Sequence, residues 1–319
     1  MTEHFRVTLL AGGVGGAKLA EGFAGLEQVA LTVIGNIADD DEFHGLWVSP
    51  DIDTMLYTLG GRINRVQGWG VAGESEQALT VLRELGANTW MFLGDRDLGL
   101  HIYRTERLRR GDRPTDIVRD IAASFGITAH ILLPTDDRVQ TRVRSKAGWL
   151  AFQEYFVRER YEPRVLAINY QGIETAKPTL EAITAISLAD LLVIAPSNPV
   201  ASILPILKVN GITEALQATA APVVAVSPLI AGKTVKGPAA EMMKALGIRP
   251  DVVGVSSIYT DIARYLLIDS QDACHTELIR AAGIEPICCD IFMPDREGKT
   301  RLANAILDLL PSPATCNVR

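Results

Sequence analysis

Ala11-Gly12-Gly13-Val14-Gly15-Gly16-Ala17-Lys18 joins two segments of different periodicity. Before it, Val7–Ala11 is a short apolar run of the kind that forms a buried strand. After it, Leu19, Phe23 and Leu26 recur at helical spacing within Ala17–Leu26, and a second apolar run follows at Leu31–Ile34. A strand, a glycine turn, a helix and another strand leave few options, because parallel strands need a crossover helix. The chain therefore opens as the first unit of a doubly wound sheet. Bare glycines let the backbone turn tightly and bring N–H groups, with the helix N-terminus, against an anion. Gly12, Gly13, Gly15, Gly16 and Lys18 are accordingly candidates to hold phosphates; the alternative is a tight strand–helix turn without a ligand. Two standard templates fail. The dinucleotide pattern begun at Gly13 needs a glycine where Lys18 stands, and the P-loop needs Gly-Lys followed by Ser or Thr.

Alternation of strand and helix resumes at Arg164–Ile168 and continues through Leu191–Ala195, Val223–Val226, Val252–Val255, Leu266–Asp269 and Pro286–Asp290. A helix over Arg301–Leu310 closes the series. Between these parts lie loops, helices at Glu74–Leu85 and Thr115–Phe125, a strand candidate at Ala129–Leu133, and all four tryptophans. The expected fold is α/β: a Rossmann-like, mostly parallel sheet with helices on both faces and a large, partly helical insertion. Residues 1–38 and 164–310 form the nucleotide-binding core, 39–163 the substrate-facing insertion, and 311–319 a frayed tail. A net charge of −7 excludes a broad nucleic-acid face. The longest apolar runs, such as Leu191–Pro196, are strand-sized, so no membrane span is expected. The N-terminus shows no basic-then-apolar leader, and the four cysteines show neither CxxC nor zinc spacing. A reducing cytoplasm is the expected compartment.

Carboxylates cluster after the second strand. Asp51 and Asp53, in Ser49-Pro50-Asp51-Ile52-Asp53-Thr54, suit a hard cation such as Mg²⁺, or a general base towards a hydroxyl. In an extended strand the two would face the same side; the alternative to a functional role is a helix-opening turn in which one of them caps backbone N–H groups. In Leu93-Gly94-Asp95-Arg96-Asp97, followed by His101 and Arg104, Arg96 can hold a phosphate with Asp95 or Asp97 orienting it; a solvated turn is the alternative. Thr135-Asp136-Asp137, Ala195-Pro196-Ser197-Asn198-Pro199 and the loop from Ser227 to Lys236-Gly237 follow predicted strands, where ligands of open α/β sheets gather. His44 and His101 sit beside acidic motifs as candidate bases or structural hydrogen-bonding groups. No G-x-S-x-G elbow occurs, which argues against acyl-enzyme chemistry.

Taken in order, these motifs resemble a known family. The glycine turn, Asn36 with Asp39-Asp40, His44-Gly45-Leu46 through Thr54, Tyr57-Thr58-Leu59-Gly60-Gly61 and Gly68-Trp69-Gly70 match it. So do Leu93 to Asp97 with His101, Thr135-Asp136-Asp137, Phe152-Gln153-Glu154, Ala195 to Pro199, Ser227-Pro228 and Lys236-Gly237-Pro238-Ala239. The chain resembles the 2-phospho-L-lactate transferase family (CofD/FbiA) of deazaflavin coenzyme F-420 biosynthesis, from its first strand to about Ala239. The resemblance implies Mg²⁺ dependence, a Rossmann-like fold and a homodimer. It also implies transfer of a phospho-acid from its GDP-activated form to the ribityl hydroxyl of the deazaflavin Fo, with release of GMP. Gly12 to Gly16 would take the donor phosphates, and Asp51 and Asp53 the Mg²⁺ and the Fo hydroxyl. Lys18, Asn36, Asp95 and Arg96 join the binding set; Ser197, Asn198 and the Ser227–Gly237 loop fall on the guanosine side. Phe92 stands where some relatives carry a lysine associated with Fo, so that role is not transferred. A nucleotide-sugar-binding regulatory protein of the related gluconeogenesis-factor type is the alternative, but those relatives lack the Ser-Pro-Asp-x-Asp and Gly-Asp-Arg-Asp motifs. An NAD(P)-dependent oxidoreductase fits only the opening unit and fails the glycine count.

Overall fold

The computed structural model describes residues 4–234 and 237–310. Lys236, expected on the donor side, and the tail from Pro311 lie outside the described residues. The chain begins with β1 (Phe5–Ala11), α1 (Gly13–Ala24), β2 (Val29–Gly35), the hairpin β3 (Asp41–Phe43) and β4 (Leu46–Val48), and α2 (Pro50–Leu59). Next come α3 (Gln77–Glu84), α4 (Asp95–Arg109), α5 (Pro114–Ser124), β5 (His130–Leu132), β6 (Gln140–Ser145), β7 (Gly148–Ala151) and β8 (Ala167–Gln171). The remainder comprises α6 (Leu180–Leu188), β9 (Leu191–Ile194), α7 (Leu204–Leu207), α8 (Ile212–Ala218), β10 (Val223–Val226), β11 (Leu229–Ile230) and β12 (Lys233–Thr234). It ends with α9 (Ala239–Ala245), α10 (Val252–Tyr259), β13 (Tyr265–Asp269), α11 (Thr276–Ala281), β14 (Glu285–Cys289) and α12 (Arg296–Leu307).

Seven strands form one parallel sheet in the order β14-β13-β10-β9-β1-β2-β5. Apolar side chains alternate across it because successive residues of a strand point to opposite faces. Val7, Leu9 and Ala11 of β1 enter one core with α1, α2, α5 and α12, whereas Leu10 enters a second core with α6, α8 and α10. Helices thus cover both faces, as expected of a buried parallel sheet. No helix of the described residues is long and apolar enough to cross a membrane.

Three sequence expectations change. β5 lies within 39–163 yet pairs in parallel with β2, so that stretch supplies an edge strand of the core sheet as well as its insertion. The strand expected at Arg164–Ile168 forms instead as β8, antiparallel to β6 in a separate three-stranded sheet. Its Tyr170 packs with Ala38, Val139 and Ala176 in a small satellite core. Val252–Val255 is the first turn of α10 and not a strand. Asp251 caps that helix by accepting the Gly254 N–H at 3.0 Å, and Val252, Val255, Ser256 and Tyr259 form its buried face.

Candidate functional site

β1 has β2 on one side and β9 on the other, so the chain leaves the sheet centre in opposite directions at this pair. Such a switch point opens a crevice at the carboxyl ends of the strands. The glycine turn occupies it. The Ser197 hydroxyl donates to Gly12 O at 2.7 Å and accepts the Gly12 N–H at 3.1 Å, tying the end of β1 to the loop after β9. A Cβ at Gly15 would lie 2.3 Å from Pro196 O, and one at Gly12 would lie 2.4 Å from an Asp51 carboxylate oxygen. Gly13 has φ +61°, which favours glycine. The turn is glycine-rich because two other loops close on it.

Above it opens a cavity of about 1560 Å³. Asp51 enters this cavity from the first turn of α2. It accepts Asn36 Nδ2 at 2.9 Å, together with the Gly13 N–H and the Ser202 hydroxyl. Burial nevertheless pushes its carboxyl up to about 6. Asp39, absent from the sequence-derived ligand set, is its neighbour. Burial, then the charges of Asp51 and Asp40, hold the Asp39 carboxyl well above the usual range, and its Oδ1 has no hydrogen-bond partner. Two neighbouring buried carboxylates, one with an orphaned oxygen, could hold a hard divalent cation.

Asp53 is placed differently. Arg104, itself buried, forks onto both its oxygens, the longer contact being 3.2 Å, and the Ser49 N–H adds a bond at 3.3 Å. Asp53 is thus the counter-ion of a buried guanidinium and not the partner of Asp51. His101 Nδ1 lies 3.7 Å from Asp53, and its Nε2 lies 3.4 Å from Asp97, which also accepts the Tyr57 hydroxyl. Asp53, Tyr57 and Asp97 line the cavity. Asp53, Asp97 and His101 converge as a group, in which Arg104 balances one of the two carboxylates.

The other expected residues separate into two groups. Gly12, Gly13, Gly15, Lys18, Ser197, Asn198, Ser227 and Gly237 line the cavity. Lys18 Nζ donates to Met293 O at 3.0 Å, and Asn198 Oδ1 caps the following π-helical turn. The Ser227 hydroxyl is engaged with Leu229 in its own turn. Asp95 and Arg96 do not line the cavity. Asp95 caps α3 by accepting the Gln77 and Ala78 N–H groups and the Ser75 hydroxyl, and Arg96 donates to Ala72 O at 2.8 Å. Within Gly94-Asp95-Arg96-Asp97 it is Asp97 that reaches the site. Gly16 lies behind the turn, where a Cβ would meet Ser197 Oγ at 2.9 Å, and Asn36 is the bracket that holds Asp51. His44 is an exposed residue of the β3–β4 turn, where it and Gly45 have φ of 53° and 77°.

Aromatic rings wall the cavity on two sides, a feature the motif pattern left unassigned. Trp69 and Phe92 meet edge-to-face at 6.4 Å. The segment that follows β7 supplies Phe152, Phe156 and Tyr161 as a stacked column.

Comparison with known proteins agrees with this geometry. Residues 7–306 match the family described as 2-phospho-L-lactate transferase CofD. A phosphoenolpyruvate transferase of Kitasatospora aureofaciens is 38% identical over 312 residues, covering 95% of this chain and 97% of that protein. A 2-phospho-L-lactate transferase of Methanopyrus kandleri is 36% identical, covering 96% and 98%, and one of Methanocaldococcus jannaschii is 35% identical, covering 97% and 99%. Two crystal structures of a Bacillus halodurans protein, one described as a member of the UPF0052 family, align with TM-scores of 0.65. They cover 96% of this chain and essentially all of theirs at 17% and 18% identity, and so speak to the fold alone. With the family match spanning the glycine turn, the carboxylate pair and both aromatic walls, the chain belongs to the 2-phospho-L-lactate transferase CofD family.

Proposed function

We propose that this protein transfers a phospho-acid group from a GDP-activated donor to the ribityl hydroxyl of the deazaflavin Fo. The acid is 2-phospho-L-lactate, phosphoenolpyruvate or 3-phosphoglycerate, and relatives named for the first two are both similar to this chain. The observation that carries the reading is the pairing of Asp39 and Asp51 against the glycine turn at the switch point. Phosphoryl transfer needs positioning and charge neutralisation more than covalent help. The Gly12 and Gly13 N–H groups already serve Ser197 and Asp51, so the N–H groups that follow them at the N-terminus of α1 take the donor phosphates. Asp39 and Asp51 would hold Mg²⁺, which supplies neutralisation of phosphate charge when bound. The acceptor oxygen attacks the phosphorus that carries the acid, the bond to the GMP oxygen breaks, and the hydroxyl proton leaves to a cavity carboxylate.

The test is direct. Purified protein is incubated with Mg²⁺, Fo and each GDP-linked donor, and GMP and the mass of the deazaflavin product are followed together. GMP appearing with one donor alongside a phospho-acid adduct of Fo is the expected result. GMP release without any modified Fo, for every donor, overturns the proposal. The regulatory, nucleotide-sugar-binding alternative predicts binding without turnover.

A further inference from the structure

The segment after β7 combines three unusual features. Glu154–Arg158 winds as a π-helical turn, a form that recurs at functional sites. Arg160 and Tyr161 follow with φ of 51° and 49°, a region that non-glycine residues seldom occupy and that proteins retain where the surroundings impose it. Two hydrogen bonds hold Tyr161 there: its N–H donates to Tyr155 O at 2.9 Å, and the Tyr155 hydroxyl donates to Tyr161 O at 3.4 Å. The consequence is an aromatic column. Phe152 stacks on Phe156 at 5.6 Å and 8°, and Phe156 on Tyr161 at 5.7 Å and 22°. Tyr161 ends this column at the cavity rim, 47% exposed, with one ring face covered by Phe156.

We infer that Tyr161, backed by Phe156 and Phe152, is a stacking platform for the purine base of the nucleotide donor. This rests on the donor reading proposed above. A large, rigid aromatic face left half bare at a cavity wall suits a flat heterocycle, because offset stacking buries both faces. The column also touches both the loop that precedes α9 and the segment that follows β2. A Cβ at Gly237 would lie 3.5 Å from Phe156, and Gln153, at the start of the column, donates to Asp39 O at 3.3 Å. Tyr161, the glycine turn, Asp39 and Asp51 line the same cavity, so a base on Tyr161 and phosphates at the turn would belong to one ligand. Arg160 lines the same rim and has no ion pair among the described residues, so its guanidinium is available to an anionic ligand.

Calorimetric titration of the full-length protein with GDP, GMP and ribose 5-phosphate tests this. Tyr161→Ala should weaken GDP and GMP about tenfold or more, as expected for loss of one stacked base, and leave ribose 5-phosphate unchanged. Tyr161→Phe should retain wild-type affinity, because stacking and not the hydroxyl carries the effect. Thermal melts establish that each variant is folded; if Tyr161→Ala is not, Tyr161→Leu replaces it. Equal nucleotide affinity in wild type and the folded variant overturns the platform while leaving the donor reading intact. So does a variant that loses Fo affinity and keeps GDP. Absence of GDP and GMP binding to the wild type overturns the donor reading and the platform with it.

Discussion

Pro50 starts α2, so Asp51 and Asp53 leave one helical turn about 200° apart and face different surroundings. Asp51 meets the glycine turn and Asp39, and Asp53 meets α4 and Arg104. Their substitutions therefore differ in kind. For Asp51, burial raises the folded carboxyl to about 6, so the protonated form suits the fold better than the ionised one. Its contribution to stability is complete below the unfolded carboxylate value of roughly 4 and is lost as pH rises through about 6. In chelator, wild type should lose about 2–3 kcal/mol relative to Asp51→Asn between roughly pH 4 and pH 7, read from denaturant midpoints. Added Mg²⁺ should restore wild type at neutral pH and not the variant. A wild type whose pH dependence matches that of the variant would show that Asp51 is not the group being charged. For Asp53, removal strands a buried guanidinium. Asp53→Ala should cost about 3–5 kcal/mol at neutral pH, and truncating the pair together (Asp53→Ala with Arg104→Met) should cost less than the single change. A cost below about 1 kcal/mol for Asp53→Ala would mean the pair is not holding α2 against α4.

The elements show how far local patterning carries. The glycine turn, the carboxylate segment and the strand-end serines were legible because each is contiguous and its chemistry is fixed by residue type. Asp39 was visible only as part of an acidic turn, since its role depends on a neighbour that a different element supplies. Val252–Val255 misled because four residues cannot show a helical period; the buried face becomes apparent only when Tyr259 is included. Asp95 looked like site chemistry, yet its oxygens terminate α3, and Glu74 in turn accepts the Arg96 and Asp97 N–H groups at the start of α4. Glycines divide in the same way. Gly15→Ala drives a methyl group into Pro196 O, a backbone atom, and should destabilise by about 1–3 kcal/mol while weakening donor nucleotide binding. Gly99→Ala, on the exposed face of α4 with nothing within 4 Å of its added carbon, should stabilise by about 0.5–1 kcal/mol and leave turnover unchanged. Chemical denaturation of the two variants side by side checks both signs.

At the scale of the whole molecule, the opening β-turn-α-β unit and the later apolar runs were enough to place the chain among doubly wound folds. They could not show where the strand order reverses. Gly12 and Ser197 stand far apart in sequence and share two hydrogen bonds, and β5 crosses from the inserted stretch to the sheet edge. Pairings of that range follow from packing of the finished sheet and leave no periodic trace. They also decide how the fold responds to ligand. The cavity draws its wall from α1, α2, the segment after β7, the loops after β9 and β10, and the start of α12, so global unfolding takes the whole site apart. Saturation with GDP at about 100 times its dissociation constant should then stabilise the fold against global unfolding by about 2.7 kcal/mol, and the melting temperature should rise by a few degrees. Mg²⁺ added with GDP should raise it further in wild type and not in Asp51→Asn, because on the proposed reading the nucleotide would rest on the glycine turn and the cation would need the carboxylate pair. Amide hydrogen exchange locates the effect: protection should increase in β1 and β9 together. An increase confined to the loop around Pro196, with β1 unaffected, would show that ligand and fold are coupled only locally.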